Sequence, residues 1–243
     1  MDELETVEMA LYAISDLHLS LSIDKPMDVF GSKWQYYMDR IRTNWMQEVK
    51  EEDYILMPGD ISWATYLEQS YKDFEYINNL PGIKIISKGN HDYWWSTASK
   101  LNQYMKNNNF NNIIFLHNNC ICYKDIVICG TRGWNCPGDE NFTQQDQKIY
   151  LRELQRLELS LRQSMQYEHK AIIVALHYPP VNKNKDMNSG FVELLKKYKV
   201  SICVYGHLHG ELHKNVLEGE YEGIRYYLVS CDYLNFKPLK LME

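Results

Sequence analysis

The chain has 243 residues, 45% of them hydrophobic, and a net charge of −6 from 26 basic and 32 acidic side chains. That is enough chain for one large α/β domain with a full core, and an acidic balance with no long basic run argues against a dedicated nucleic-acid binder. No apolar run approaches a membrane span, and the start MDELETVEMA lacks a charged-then-apolar signal pattern, so a cytoplasmic protein with no membrane partner is expected.

Residues 9–14 read as a first strand ending in Ser15-Asp16-Leu17-His18. On an extended segment Asp16 and His18 point the same way and offer an oxygen and an imidazole to one point, as a metal needs. An Asx turn beside a bystander histidine is the plainer alternative. Residues 32–50 follow as a helix. Residues 53–57 form a second strand running into Pro58-Gly59-Asp60, where a glycine permits close backbone approach beside a carboxylate. Residues 66–80 are the next helix, closed by Pro81-Gly82. A third strand, 83–86, leads to Gly89-Asn90-His91-Asp92, and a helix over about 97–106 follows, with Ser96 or Thr97 as its cap. The tetrapeptide could be a turn only, but it falls at the carboxyl end of a strand, where open α/β sheets bind ligands. The β-α-β-α-β-α order implies parallel strands with right-handed crossovers.

The middle changes character. Residues 113–116, 120–123 and 126–130 read as three short strands, the last two a hairpin across Lys124-Asp125, and a second, partly antiparallel sheet is expected to start here. Next comes Thr131-Arg132-Gly133-Trp134, where the arginine could hold a phosphate or planar group, or form a surface ion pair. Residues 144–167 are the longest helix, laced with Arg and Glu and so an outer one. A strand over 171–176 ends at His177, a helix spans 189–198, and a strand over 200–205 ends in Gly206-His207-Leu208-His209-Gly210. The last strand is 224–230. The six cysteines (Cys120, Cys122, Cys129, Cys136, Cys203, Cys231) form no C-x-x-C pair and read as buried free thiols. With no repeat or linker, one domain over 1–243 is expected.

Five of the eight histidines (His18, His91, His177, His207, His209) lie at strand ends, with Asp16, Asp60 and Asn90 beside them. Packing explains one such histidine easily and five poorly. His117, His169 and His213 lack this context and read as surface or structural. Two carboxylates, an amide oxygen and up to four imidazoles besides His91 are too many for one tetrahedral zinc and suit two divalent ions sharing a carboxylate. Mixed oxygen and nitrogen donors without thiolate suit Mn, Fe or Zn.

The ordered set Asp16-x-His18, Gly59-Asp60, Gly89-Asn90-His91-Asp92, His177 and Gly206-His207-x-His209 resembles the calcineurin-like metallophosphoesterase superfamily over residues 16–209. The resemblance implies an α/β fold, a two-sheet mixed β-sandwich flanked by helices, with metals at the strand ends. It implies one metal on Asp16, His18, Asp60 and His209, and a second on Asp60, Asn90, His177 and His207, so that Asp60 bridges. His91 becomes the non-ligand histidine that contacts phosphate and protonates the leaving group, and Asp92 orients it. The implied activity is hydrolysis of a phosphomonoester or phosphodiester by a hydroxide bridging two divalent ions, with Mn²⁺ expected first and Fe or Zn as alternatives. A small-molecule or nucleotide phosphoester is the expected substrate, and nucleic acid is not favoured. Gly59-Asp60-Ile61-Ser62-Trp63 departs from the Gly-Asp-x-Val-Asp-Arg-Gly block of the protein Ser/Thr phosphatases, so a small stand-alone bacterial-type phosphoesterase is expected. Trp63, Trp94, Trp95 and Trp134 fall beside the site loops, either as an aromatic wall for substrate or as loop packing. The rival readings are a nuclease or cyclic-nucleotide phosphodiesterase, favoured by a basic groove, and a non-catalytic metal-binding scaffold, disfavoured by the full set of histidines.

Overall fold

A computed structural model describes residues 9–242. Most of the stretch read for a signal pattern lies outside the described residues. Sixteen regular elements follow in order: β1 (Leu11–Ala13), α1 (Tyr37–Glu48), β2 (Tyr54–Pro58), α2 (Tyr71–Asn78), β3 (Ile83–Ser87), α3 (Ala98–Asn107), β4 (Ile113–Phe115), β5 (Cys120–Tyr123), β6 (Ile126–Thr131), α4 (Gln144–Ser164), β7 (Ala171–Leu176), α5 (Gly190–Lys197), β8 (Ile202–Tyr205), β9 (Gly219–Tyr221), β10 (Ile224–Leu228) and β11 (Leu239–Met242). They build two mixed sheets, ordered β11-β1-β2-β3-β4 and β5-β6-β7-β8-β10-β9.

Strand alternation explains the layering. In β1, Leu11 and Ala13 face the other sheet and pack with Leu56, Ile85, Ile128, Ile173 and Val204. Tyr12 and Ile14 face the opposite way, toward Trp45, Phe74 and Leu101. On the far side Val127, Ile172 and Val174 of the second sheet meet Leu157 and Leu161 of α4 and Val192 and Leu195 of α5. Each sheet is therefore buried on both faces, which is why its strands read as continuous apolar runs. Helix starts follow local chemistry. Thr97 caps α3, Ser189 caps α5, and Thr143 forms a reciprocal capping box with Asp146 on α4.

Several boundaries differ from expectation. The helix expected over 32–50 is a 3₁₀ turn (Ser32–Trp34) and then α1, because Tyr36 turns left-handed at φ 53°. β4 does not open the second sheet; it pairs parallel with β3 and completes the first. The Lys124-Asp125 hairpin joins β5 and β6 as expected. Among the described residues all six cysteines are free, but Cys122 is exposed on edge strand β5.

Candidate metal centre

The carboxyl ends of β1, β2 and β3 from one sheet and of β7 and β8 from the other bring the strand-end residues together. Two groups of donors lie within 4.8 Å of one another, Asp16 with His18 and His209, and Asp16 with Asp60 and His177. Asn90 joins the second group through its Oδ1, 2.7 Å from His177 Nε2 and 2.9 Å from His207 Nδ1. His18 Nε2 is 3.8 Å from Asp60 Oδ2 and 3.3 Å from His209 Nε2. All seven expected ligands thus meet at one place.

They do not converge as an extended segment would make them. Asp16 (φ 58°), His18 (48°), Asp60 (52°) and His207 (71°) are all left-handed. Each such non-glycine residue costs about 1–3 kcal/mol and persists only where its surroundings enforce it. Here the two loops lace together: Asp16 N donates to Gly59 O (3.0 Å), His18 N to Asp60 O (3.0 Å) and Leu19 N to Ile61 O (2.9 Å). Glycines give the carboxylates room, since a Cβ on Gly89 would collide with Asp60 and one on Gly206 with Asp16.

The donor set suits a divalent cation. Burial lowers His177 to about 4 and His207 to about 3, and drives His18 well below its ordinary value, so these imidazoles are neutral at pH 7 and hold free lone pairs. His177 Nδ1 lies 3.0 Å from the Pro58 carbonyl, which only accepts, so Nδ1 carries the hydrogen. Its Nε2 lone pair then faces Asn90 Oδ1 and, at 3.5 Å, Asp60 Oδ2. Acceptors crowded in this way need a positive charge between them. Burial first, then the charges of Asp16 and Asp92, push the Asp60 carboxyl well up, and a cation in the cluster would offset both. Asp16 goes the other way: burial works against it, but the His209 hydrogen bond and the neighbouring histidines hold it well below the carboxylate range. His209 is pushed up to about 10, because hydrogen bonds to Asp16 and Asp232 outweigh its burial.

Three residues that support the cluster carry no motif that the sequence singles out. Ser15 and Ser230 donate hydroxyls to Asp16 Oδ2. Asp232 accepts from His209 Nδ1 at 2.8 Å and from the Gly210 amide at 3.2 Å, which turns His209 Nε2 toward Asp16. His213, expected to be surface or structural, stands 3.4 Å from Asp232. Asp232 follows a strand end just as Asp16 and Asp60 do, so the same signal could have found it. Outer carboxylates of this kind fix the tautomer and raise donor basicity. Asp232→Ala is expected to weaken metal binding about 10–100-fold, read by competition against a chromogenic chelator; unchanged affinity would remove Asp232 from the site.

His91 and Asp92 behave differently from expectation. The His91 backbone N–H donates to Asp60 Oδ1 (2.8 Å), while its half-buried ring joins neither donor group and leaves Nδ1 without a partner. Burial and then Lys25 lower its pKa. Asp92 does not orient it. Its buried carboxylate accepts from the amides of Gly89 (2.7 Å), Asp60 (2.8 Å), Ile61 (2.9 Å) and Ser62 (3.3 Å) and from Trp94 Nε1 (3.1 Å). Asp92 ties the Asp60 loop to the Asn90 loop, and none of these bonds goes to His91.

The aromatic wall is only partly present. Trp63 stacks on His18 (centroids 4.7 Å apart) and stands 4.3 Å from His91, with Lys25 Nζ 3.2 Å above it. Trp94 is 2% exposed and packs against Phe74 and Phe115, so it is core and not substrate wall. Trp95 packs on Phe115 and His117. Trp134 donates to Asp146 and lies 4.9 Å from Tyr178, whose ring is 4.1 Å from His207. Arg132 packs its guanidinium on Trp134 and pairs with buried Glu153, an ion pair but not a surface one.

A fold of two sheets with helices on both outer faces and an Asp/His cluster at their carboxyl ends defines a metal-dependent phosphoesterase architecture. A family model described as calcineurin-like phosphoesterase matches residues 9–211, and the chain belongs to that family. A phosphopantetheinyl hydrolase from Mycobacterium tuberculosis shares the fold at 12% identity and a TM-score of 0.58, with 96% of each chain covered. The protein TT1561 of Thermus thermophilus does so at 10% identity and a TM-score of 0.53, covering 96% of this chain and 97% of its own. A protein of unknown function, AQ665 from Aquifex aeolicus, is 17% identical with a TM-score of 0.50, covering 96% of both chains. No curated protein matches the chain. Among the described residues no helix is long and apolar enough to cross a membrane.

Proposed function

We propose that this chain hydrolyses a small-molecule or nucleotide phosphoester with the help of two divalent metal ions. The observation that carries the reading is the meeting of Asp16, His18, Asp60, Asn90, His177, His207 and His209 at one point, with three buried imidazoles neutral and their neighbours crowded acceptor to acceptor. One ion falls to Asp16, His18, Asp60 and His209, the other to Asp60, Asn90, His177 and His207. Bound there, the ions supply Lewis acidity toward the phosphoryl oxygens and a water acidic enough to attack phosphorus.

The chain's own residues do the rest. Asp60 is aimed by the His91 amide, so its Oδ2 is left to face His18 and His177. Asp92 keeps the two loops in register by holding their amides. His91, beside the cluster and bonded through neither ring nitrogen to a carboxylate, is free to reach the ester oxygen. A phosphoryl dianion next to it favours its imidazolium form, which can hand a proton to the departing alkoxide. Trp63 shields one face of His18 and limits water there.

Chelated protein, tested on phosphomonoesters, phosphodiesters, nucleotides and a phosphopantetheinyl ester, is expected to be inactive and to recover better with Mn²⁺ than with Mg²⁺. Imidazole-rich sites favour transition ions, whereas Mg²⁺ prefers carboxylate and water. Full recovery in Mg²⁺ alone would contradict the ligand set, and turnover of no ester under any metal would overturn the reading.

A further inference from the structure

Where β3 and β6 end lies a cavity of about 250 Å³ whose charge runs against that of the chain. Lys88, Arg132, Arg152 and Arg156 line it, against one carboxylate, Glu153; the chain as a whole carries −6. Glu153 is fully buried and already engaged. It accepts from Thr131 Oγ1 (2.6 Å), Arg156 Nη1 (2.7 Å) and Arg132 Nη2 (3.3 Å). It therefore fixes two guanidinium groups in the wall and cannot neutralise the others. The side chains of Lys88 and Arg152 make no hydrogen bond or ion pair among the described residues, and buried Arg132 Nε and His117 Nδ1 have no partner.

Such a wall is unfavourable when nothing negative faces it. Arg152 and Arg156 are one helical turn apart, a spacing at which like charges repel. Guanidinium forks match phosphate oxygens two at a time, and a lysine adds a point charge. Position gives the cavity its meaning. Lys88 directly follows β3 and precedes Asn90 by two residues, and the Arg132 carbonyl at the end of β6 accepts the His177 amide at 2.9 Å. Both sheets thus carry this basic wall next to residues of the cluster.

We propose that the cavity is a subsite for a second, non-reacting phosphate group of the substrate. The inference rests on the phosphoesterase reading for its purpose, and on the charge and geometry of the cavity for its existence. It narrows the substrate class to small molecules with two phosphate groups, one presented to the metal centre and one held by Lys88 and the three arginines.

The test has two arms. First, chelator-treated protein is titrated calorimetrically with inorganic pyrophosphate at low salt. One saturable site is expected, weakened about tenfold or more in the Lys88→Gln/Arg152→Gln double variant, since each charge-assisted bond contributes roughly a factor of ten or more, and held within about twofold in His18→Ala. Neither Lys88 nor Arg152 has a partner to lose, and the melting temperature checks that the double variant stays folded. No saturable binding, or equal loss in His18→Ala, would overturn the subsite. Second, in Mn²⁺-loaded enzyme, the ratio of kcat/KM for a bisphosphate substrate to that for p-nitrophenyl phosphate should fall about tenfold in the double variant; an unchanged ratio would count against the role in substrate choice. If the enzyme hydrolyses neither ester, the functional reading fails while the first arm still decides the subsite.

Discussion

Asp60→Asn should empty both metal positions and reduce kcat/KM by more than about 100-fold, beyond the loss typical of outer-shell partners. In the proposed ligand set Asp60 serves both ions, while Asp16, which belongs to both donor groups, serves one. Its Oδ2 lies 3.8 Å from His18 Nε2 on one side and 3.5 Å from His177 Nε2 on the other. The amide substitution preserves shape and still accepts the His91 N–H at the Oδ1 position, so the fold should survive. His209→Ala, by contrast, should weaken chiefly one ion, because His209 meets Asp16 and His18 and not Asn90. Metal analysis of the two purified variants decides it. Equal and near-complete occupancy in Asp60→Asn would exclude a bridging role.

His91→Asn should keep its metals and lose turnover on substrates with alkyl leaving groups. A general acid contributes about 10²–10⁴-fold. The loss should shrink for p-nitrophenyl esters, whose phenolate departs without a proton. The geometry behind this is specific: the His91 ring belongs to neither donor group, its Nδ1 has no partner, and its backbone alone is tied to Asp60. The readout is kcat/KM for both substrate types in wild type and variant, with metal content measured in parallel. Equal losses with metals retained would make His91 a phosphate-orienting group that donates no proton. Loss of the metals would make it a ligand.

Much of the site was legible because its residues sit at one repeated topological place. Each of Asp16, Asp60, Asn90, His177 and His207 follows an apolar strand, and a strand-end residue is visible from local sequence. How they converge was not. An extended Asp-x-His was expected, whereas Asp16 and His18 turn left-handed, held by backbone bonds to the Gly59–Ile61 loop more than forty residues away. The role of Asp92 escapes local sequence for the same reason, since the four amides it holds belong largely to another loop. Trp94 sits next to a site residue in sequence, yet faces the core beneath α2 and β4.

The fold divides along similar lines. The parallel β-α units of the first third follow from their own periodicity and caps. The assignment of β4 to the first sheet, and the existence of β11, do not: β11 follows Pro238, is only four residues long, and is a strand because it pairs antiparallel with β1 at the other end of the chain. β9 is three exposed residues that count as a strand only through its hairpin with β10. Elements defined by distant partners carry little local signal.

Metal stoichiometry followed against activity tests the central claim most directly. Chelated protein would be titrated with Mn²⁺, with bound metal per chain and hydrolysis of a responsive phosphoester recorded at each step. The arrangement of Asp16, His18, Asp60, Asn90, His177, His207 and His209 predicts binding that saturates at two ions per chain, with hydrolysis absent in the metal-free protein and rising as the second ion enters. Saturation at a single ion, or hydrolysis that persists after complete chelation, would contradict it.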